Sequence, residues 1–139
     1  MIDKKFIEFI EDHHVLTLST VQDNQPYTSN CFYVYLPEHN MFVFTSDKET
    51  RHGKEMLGNP NVGANIVLET KTIGKIQGLQ IMGVAEELNG EELKLGKKAY
   101  LKKYPYAVLK LETMWGLKVN FLKLTDNRLG FGKKLIWKK

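Results

Sequence analysis

The side chains of this sequence that are best suited to chemistry lie between residues 45 and 54. This segment combines hydroxyl groups with cationic groups, and proteins use both kinds of donor to hold a phosphate monoester. The side chains concerned are Thr45, Ser46, Lys48, Thr50, Arg51, His52 and Lys54. An ordinary surface helix with a capped start and solvated charges would show a similar composition. The segment therefore predicts either a phosphate-binding corner or a simple helix start.

The flanking residues predict that this segment joins a strand to a helix. Residues 41–44 form an apolar run that is typical of a strand, and Gly58, Asn59 and Pro60 end a helix-forming stretch. The first turn of a helix leaves backbone N–H groups without partners inside the helix. Amide donors would therefore join the hydroxyl and cationic side chains at one point, where an anion could bind.

The rest of the chain carries little other recognisable chemistry. Residues 130–133 read GFGK, but they lack the full spacing of a phosphate-binding loop and do not open a helix. His13 and His14 are adjacent, so they point to different sides of any regular element, and no carboxylate or cysteine lies at metal-ligand spacing. Cys31 is the single cysteine, and its position within a strand favours a small buried side chain over a nucleophile. We therefore predict no metal site and assign no catalytic residue.

Length and composition are those of one folded domain spanning residues 1–139. Hydrophobic residues make up 42% of the chain and charged residues 26%, which is ordinary for a globular protein. No apolar run approaches the roughly 20 residues that a membrane span needs. The first residues are too acidic for a signal peptide. We therefore expect a cytoplasmic protein without a membrane segment.

The net charge of +4 comes largely from two groups of lysines. The groups are Lys94, Lys97, Lys98, Lys102 and Lys103, and Lys133, Lys134, Lys138 and Lys139. Such clusters are more often solvated faces than binding surfaces. RNA binding is thus a less favoured alternative function.

Alternating apolar and polar residues predict six or seven strands with few helices. Strands are predicted at 15–21, 26–36, 41–44, 62–68, 76–88, 114–124 and 134–137. Helices are predicted after Asp3, after the corner, and from Asn89 to about Tyr104. Gly78 and Gly83 indicate bulges or a close backbone approach, as expected where a sheet curls into a barrel. Because strands and helices do not alternate, we predict a mainly β fold, a small antiparallel barrel with peripheral helices.

The sequence also carries more aromatic residues than the corner itself needs. They include Phe32, Tyr33, Phe44, Trp115, Phe131 and Trp137. Most of these must belong to the core. A barrel with a phosphate-binding corner and a few remaining aromatic side chains could hold a flat, phosphorylated heterocycle.

The order of several motifs resembles a known family over nearly the whole chain. The motifs are VLTLST (15–20), PYTSNCFYVY (26–35), MFVFTSDKETRHGKEM (41–56), NPNVGANI (59–66), a late strand with Gly78, Gln80 and Gly83, and TDNRLGFGKK (125–134). They resemble the FMN-binding split-barrel proteins related to pyridoxamine 5'-phosphate oxidase, and the last motif is similar to that of a bacterial branch. The resemblance implies an antiparallel Greek-key split barrel that forms a homodimer, with two FMN sites between the subunits.

The resemblance also implies which residues would bind the FMN. The phosphate would be held by Thr45, Ser46, Thr50, Arg51 and His52. The edge of the isoalloxazine ring would lie along Thr28, Ser29, Asn30 and Cys31. Gln80 would reach the ring or the ribityl chain. Trp115 and Phe131 complete the implied set, and the resemblance leaves open whether they reach the site of the partner subunit.

Two departures from the oxidases limit what the resemblance implies. The oxidases usually have Lys where this chain has His52, so phosphate binding here should be weaker and more dependent on pH. The chain also lacks a counterpart of the residues that grip a pyridoxine substrate, so pyridoxamine 5'-phosphate oxidase activity is not expected. The leading hypothesis is an FMN-dependent oxidoreductase of an unidentified small molecule. A non-catalytic split barrel that stores or senses a flavin or haem is the alternative.

Overall fold

The computed structural model describes residues 2–130 and 133–139. Its strands are β1 (Val15–Gln22), β2 (Gln25–Leu36), β3 (Met41–Thr45), β4 (Asn61–Val67), β5 (Gln77–Glu87), β6 (Met114–Asp126) and β7 (Lys134–Lys138). Its α-helices are α1 (Lys4–Glu11), α2 (Arg51–Gly58) and α3 (Gly90–Lys103), and a 3-10 helix (Pro105–Lys110) follows α3. None of the helices in these two stretches is both long enough and apolar enough to cross a membrane.

The strands form one antiparallel sheet in the order β3-β2-β1-β4-β5-β6-β7, and a further pairing between β3 and β6 closes it into a barrel. β6 pairs with two strands, β3 and β7, along the same edge. Its first part, Met114 to Lys118, pairs with β3, and its later part, Phe121 to Thr125, pairs with β7. The predicted fold class, a mainly β antiparallel split barrel, is therefore confirmed.

Residues 41–44 of β3 are all apolar because neither face of the strand meets water there. Phe42 and Phe44 point into the barrel, where the Phe42 ring lies 5.4 Å from that of Tyr33. Met41 and Val43 point outward and pack with residues of α3 and the segment after it. A strand buried on both faces shows a continuous apolar run instead of alternation. The end of β3 is consequently a rigid support for the residues that follow it.

One of the two predicted bulges is present in β5. The register of β5 against β6 shifts between Met82 and Gly83. A Cβ atom on Gly83 would lie 2.3 Å from the carbonyl oxygen of Lys118, so only glycine fits there. Gly78 stays in register between Val67 and Thr125, so no bulge occurs at that glycine.

The segment after α3 is anchored on β2 and returns to the end of β3. Lys103 Nζ and Tyr104 Oη both donate to the carbonyl oxygen of Tyr33, at 3.1 and 2.6 Å. Further along, the carbonyl oxygen of Thr113 accepts a hydrogen bond of 2.9 Å from the backbone N–H of Ser46. This segment therefore forms one wall beside the predicted corner.

Candidate functional site

The chain turns from β3 into α2 as the sequence predicts. Thr50 is the N-cap of α2, and its Oγ1 accepts a hydrogen bond of 3.1 Å from the N–H of Gly53. The same hydroxyl donates to the carbonyl oxygen of Asp47 at 2.7 Å. A Cβ atom on Gly53 would lie 2.4 Å from that oxygen. The turn is therefore folded tightly against the first turn of the helix, where a cap satisfies one of the free amides.

Ser46 is the centre of this corner, which comprises residues 45–54. Its side-chain Oγ is hydrogen-bonded to Nε2 of His52 and lies 3.3 Å from Thr50 Oγ1. Its carbonyl oxygen accepts a bond of 2.9 Å from Nε1 of Trp115. Only 5% of Ser46 is exposed, so a ligand would meet the bonded side chains of Thr50 and His52 together with the Ser46 hydroxyl. Thr45, the last residue of β3, is half-buried and pairs with Met114.

Arg51 points to a different side of the helix from His52. Its Nε donates to Glu55 at 2.9 Å, and its guanidinium carbon lies 4.1 Å from the centre of the Tyr27 ring. It lines a cavity of about 530 Å³ beside the β1–β2 turn. The predicted convergence of Arg51 with Ser46 is therefore not present, because successive helical residues point about 100° apart. The guanidinium has five N–H donors, and Glu55 uses one.

The other cations of the corner are also paired with carboxylates. Lys48 Nζ lies 2.7 Å from Glu87 on β5. Lys54 Nζ lies 3.8 Å from Glu49 in the turn, and both side chains are largely exposed. Lys48 and Lys54, which the sequence suggests as phosphate-binding candidates, are thus each partly neutralised by a carboxylate.

Two groups at the corner have shifted pKa values. Burial lowers the pKa of His52, while the nearby carboxylates of Glu112 and Glu55 oppose that shift. The hydrogen bond from Arg51, followed by the bond from Thr20, holds the pKa of Glu55 below its ordinary value. His52 is therefore neutral and Glu55 is charged near pH 7.

The edge of β2 next to the corner has no neighbouring strand in the part of the chain that the structure describes. β2 pairs with β1 over residues 25–32 but with β3 only over residues 33–36, because β3 turns away after Thr45. The backbone groups of residues 25–32 that point away from β1 therefore have no strand partner among the described residues. This open edge of β2 could read the edge of a planar ligand.

Side chains of the predicted ring-binding residues alternate between two faces of β2. Ser29 and Cys31 point inward, whereas Thr28 and Asn30 point outward and are exposed. The four residues lie next to one another along the strand, but only Ser29 and Cys31 share a face, because neighbouring strand residues face opposite ways. Cys31 is buried as predicted, and burial raises the pKa of its thiol to about 11, which makes it a poor nucleophile.

The hydroxyl of Ser29 stands out in this region. Its Oγ is buried and has no hydrogen-bond partner among the described residues. Ser29 lies between Tyr27, which contacts Arg51, and Cys31, on the part of β2 that does not pair with β3. Buried polar atoms nearly always have a partner, so this hydroxyl is a candidate contact for a ligand.

Three residues of the predicted site lie outside both the corner and β2 in the sequence: Gln80, Trp115 and Phe131. Gln80 lies on the outer face of β5, seven residues from Glu87, which contacts the corner through Lys48. It pairs with Asn65 on β4, so β4 and β1 separate it from β2 within the sheet. Trp115 is 1% exposed inside its own barrel, so its side chain supports Ser46 and is not available to a partner subunit. Phe131 lies outside the described residues.

The sequence analysis missed the residues that hold Arg51. Glu55 is 4% exposed, and its second oxygen accepts a hydrogen bond of 2.8 Å from Thr20 on β1. The spacing of Arg51 and Glu55, four residues apart on a helix, was a usable signal for this ion pair. Thr20 on β1 and Tyr27 on β2 gave no such signal, because they are distant from α2 in sequence and contact it only in the folded structure.

The closed barrel, with this corner beside the open edge of β2, defines a split-barrel protein. The chain belongs to the pyridoxamine 5'-phosphate oxidase family, whose model matches residues 2–125. A UPF0306 protein of Photorhabdus laumondii is 36% identical over 131 residues, which cover 94% of this chain and 92% of that protein. A UPF0306 protein of Serratia proteamaculans is 36% identical over 134 residues, or 96% and 93% of the two chains.

Solved structures share the fold at low sequence identity. A heme binding protein from Mycobacterium smegmatis matches with a TM-score of 0.80 and 21% identity over 93% of this chain, which spans only 54% of that protein. A FAD-binding protein from Mesorhizobium loti matches with a TM-score of 0.72 and 15% identity over 89% of this chain and 94% of that one. At such identities the likeness establishes the split-barrel fold but does not identify a ligand.

Proposed function

We propose that this chain is an FMN-binding protein. The phosphate would bind at Ser46, Thr50 and His52, and the isoalloxazine ring would lie along the open edge of β2. The observation that carries this proposal is the meeting of those three side chains at the start of α2, directly beside a strand edge without a partner. A phosphate group needs convergent donors, and a flavin ring needs a row of backbone groups.

The residues present fit such a ligand. Ser29 Oγ is the unpaired buried hydroxyl of the region and would gain a partner from a polar atom of the cofactor. The guanidinium of Arg51 would reach the phosphate only through a change of rotamer that exchanges its bond to Glu55 for one to the ligand. Relatives that bind FAD or heme, as their names state, use the same fold for planar cofactors.

We further propose a homodimer in which each subunit completes the site of the other. The outer face of the sheet carries large exposed apolar side chains. They are Val15 (42%), Phe32 (57%), Val67 (60%) and Met82 (55%). Exposed apolar patches of this kind mark interaction sites, and a two-fold dimer would bury the same patch on both copies. Gln80 shares this face, so the FMN it would contact is the partner's.

The proposed activity is an oxidoreductase reaction on a small molecule. A bound flavin supplies the electron transfer, and the protein binds and orients it and excludes water from the ring. Trp115 and the anchored segment before β6 would keep Ser46 in place. We assign no catalytic residue.

Storage or sensing of haem is the second candidate, favoured by the fold match to the M. smegmatis heme binding protein. The absorbance spectrum of the purified protein separates the two candidates, because flavin and haem absorb differently. Native mass spectrometry after reconstitution with FMN should report a dimer with two bound FMN. Anaerobic addition of NADH or NADPH then tests for an enzyme. Failure to bind FMN added in excess would overturn the proposed function.

A further inference from the structure

The fixed positive charges of the corner are balanced by carboxylates. The pairs are Lys48 with Glu87 (2.7 Å), Arg51 with Glu55 (2.9 Å) and Lys54 with Glu49 (3.8 Å). Asp47 and Glu112 add further carboxylates in the turn and in the adjacent wall. A phosphate monoester is close to a dianion near pH 7. It would enter a site whose carboxylates already outnumber its fixed cations.

His52 is the corner residue that can change this balance. Its Nε2 is bonded to Ser46 Oγ on the β3 side, while Glu112 faces it from the segment before β6 and Glu55 from its own helix. Partial burial keeps the imidazole neutral in the ligand-free state. A nearby dianion acts in the opposite direction, because it stabilises the charged form of the ring.

We propose that His52 takes up one proton from solvent when a phosphate monoester binds at this corner. The inference rests on the proposed function, since it assigns the phosphate of the FMN to this place. The ring with both nitrogens protonated is a donor only. Nε2 would then donate to Ser46 Oγ, and the Ser46 hydroxyl would be free to donate to a phosphate oxygen. No covalent bond changes, and one proton moves from water to the imidazole.

Proton uptake makes binding depend on pH in a defined direction. Each proton taken up weakens binding by about tenfold for every unit by which the pH rises. The measurable window lies above about pH 7, where the FMN phosphate, with a second pKa near 6, is already a dianion and does not contribute. A site with a fixed charge in place of His52 would show no such dependence.

Titration calorimetry with FMN at about pH 7.5 tests the inference. Repeating it in phosphate-free buffers of different ionisation enthalpy measures the number of protons taken up. We expect uptake approaching one proton per FMN for the native dimer and none for His52→Lys or His52→Gln. His52→Lys should also bind FMN equally well across the pH window. His39→Gln is the matched control, because His39 is exposed on the β2–β3 turn, and it should leave proton uptake unchanged.

The outcomes separate this inference from the proposed function. FMN that binds without proton uptake, or uptake that persists in His52→Gln, overturns the role of His52 and leaves FMN binding intact. FMN that does not bind overturns both. A His52→Gln protein that fails to fold leaves the decision to His52→Lys, in which proton uptake equal to that of the native protein would equally overturn the inference.

Discussion

The indole Nε1–H of Trp115 donates to the carbonyl oxygen of Ser46 at 2.9 Å, and both residues are almost fully buried. The bond connects β6 to the first residue after β3, where the chain leaves the sheet. A second bond, from the N–H of Ser46 to the carbonyl oxygen of Thr113, adds to it. Ser46 is thus positioned from its backbone, which leaves its hydroxyl to His52 and to a ligand.

Trp115→Phe should therefore weaken both folding and ligand binding. The substitution keeps an aromatic ring in the core but leaves the Ser46 carbonyl oxygen without its donor, which costs about 1–3 kcal/mol. Urea unfolding measures the loss, and an FMN titration measures the effect on the corner. Trp137→Phe on the edge strand β7 is the control, since Trp137 is only partly buried. Equal stability losses in the two variants would contradict the role assigned to Trp115.

The sequence predicted the strands and the strand-to-helix turn well because their signals are local. Residues 41–44 show both faces of β3 as apolar, and Gly58, Asn59 and Pro60 mark the end of the helix. The sequence did not predict side-chain contacts between residues that are distant along the chain. Nothing local shows that Glu87 neutralises Lys48 or that Trp115 serves Ser46 in its own chain. Alternation along β2 was visible in the sequence, and applying it strictly would have separated Ser29 from Asn30.

Gly53→Ala should disrupt the corner. Its Cβ atom would lie 2.4 Å from the carbonyl oxygen of Asp47 and 2.9 Å from Thr50 Oγ1, so the turn must move away from the helix start. We expect a loss of about 1–3 kcal/mol in the free energy of unfolding, together with weaker FMN binding. Thermal unfolding and an FMN titration measure the two effects.

Gly58→Ala is the matched control for this substitution. Gly58 ends the same helix, and a Cβ atom there would have no atom within 4 Å. Alanine in a helix is favoured over glycine by up to about 1 kcal/mol, so this variant should be as stable as the native protein or slightly more so. If Gly53→Ala behaved like Gly58→Ala, the close approach of Asp47 would be of no consequence for the corner.

Arg51→Ala should weaken FMN binding by about 1–3 kcal/mol, the range of a hydrogen bond to a charged group. Calorimetry at constant pH measures the change. Lys54→Ala is the control, because its side chain is 63% exposed and pairs loosely with Glu49. Glu55 would lose its partner in the Arg51 variant, so Arg51→Lys is needed to separate charge from folding. Unchanged affinity in Arg51→Ala would show that Arg51 stays on Glu55 and does not bind the phosphate.

Glu55 should make stability fall in acid. Its pKa is held below the ordinary value of 4.5 by Arg51 and Thr20. Such a group stabilises the fold above its ordinary pKa, and the contribution is lost as the pH falls through the lower, folded-state value. Glu55→Gln should therefore be less stable than the native protein near pH 7, and the difference should shrink below about pH 4.5. Urea unfolding over this range measures it, with exposed Glu49→Gln as the control. A difference that stayed constant in acid would rule out this linkage.

Ser29→Ala should affect stability and binding in opposite directions. The Ser29 hydroxyl is buried without a partner, so its removal should raise the free energy of unfolding of the ligand-free protein by up to about 1 kcal/mol. The same change should weaken FMN binding, because the cofactor would lose the hydrogen bond that the Ser29 hydroxyl would make to it. Unfolding with and without FMN measures both effects. Ser19→Ala on the outer face of β1 should leave both quantities unchanged. A Ser29→Ala protein that gains stability and binds FMN as tightly as the native one would place the cofactor away from this hydroxyl.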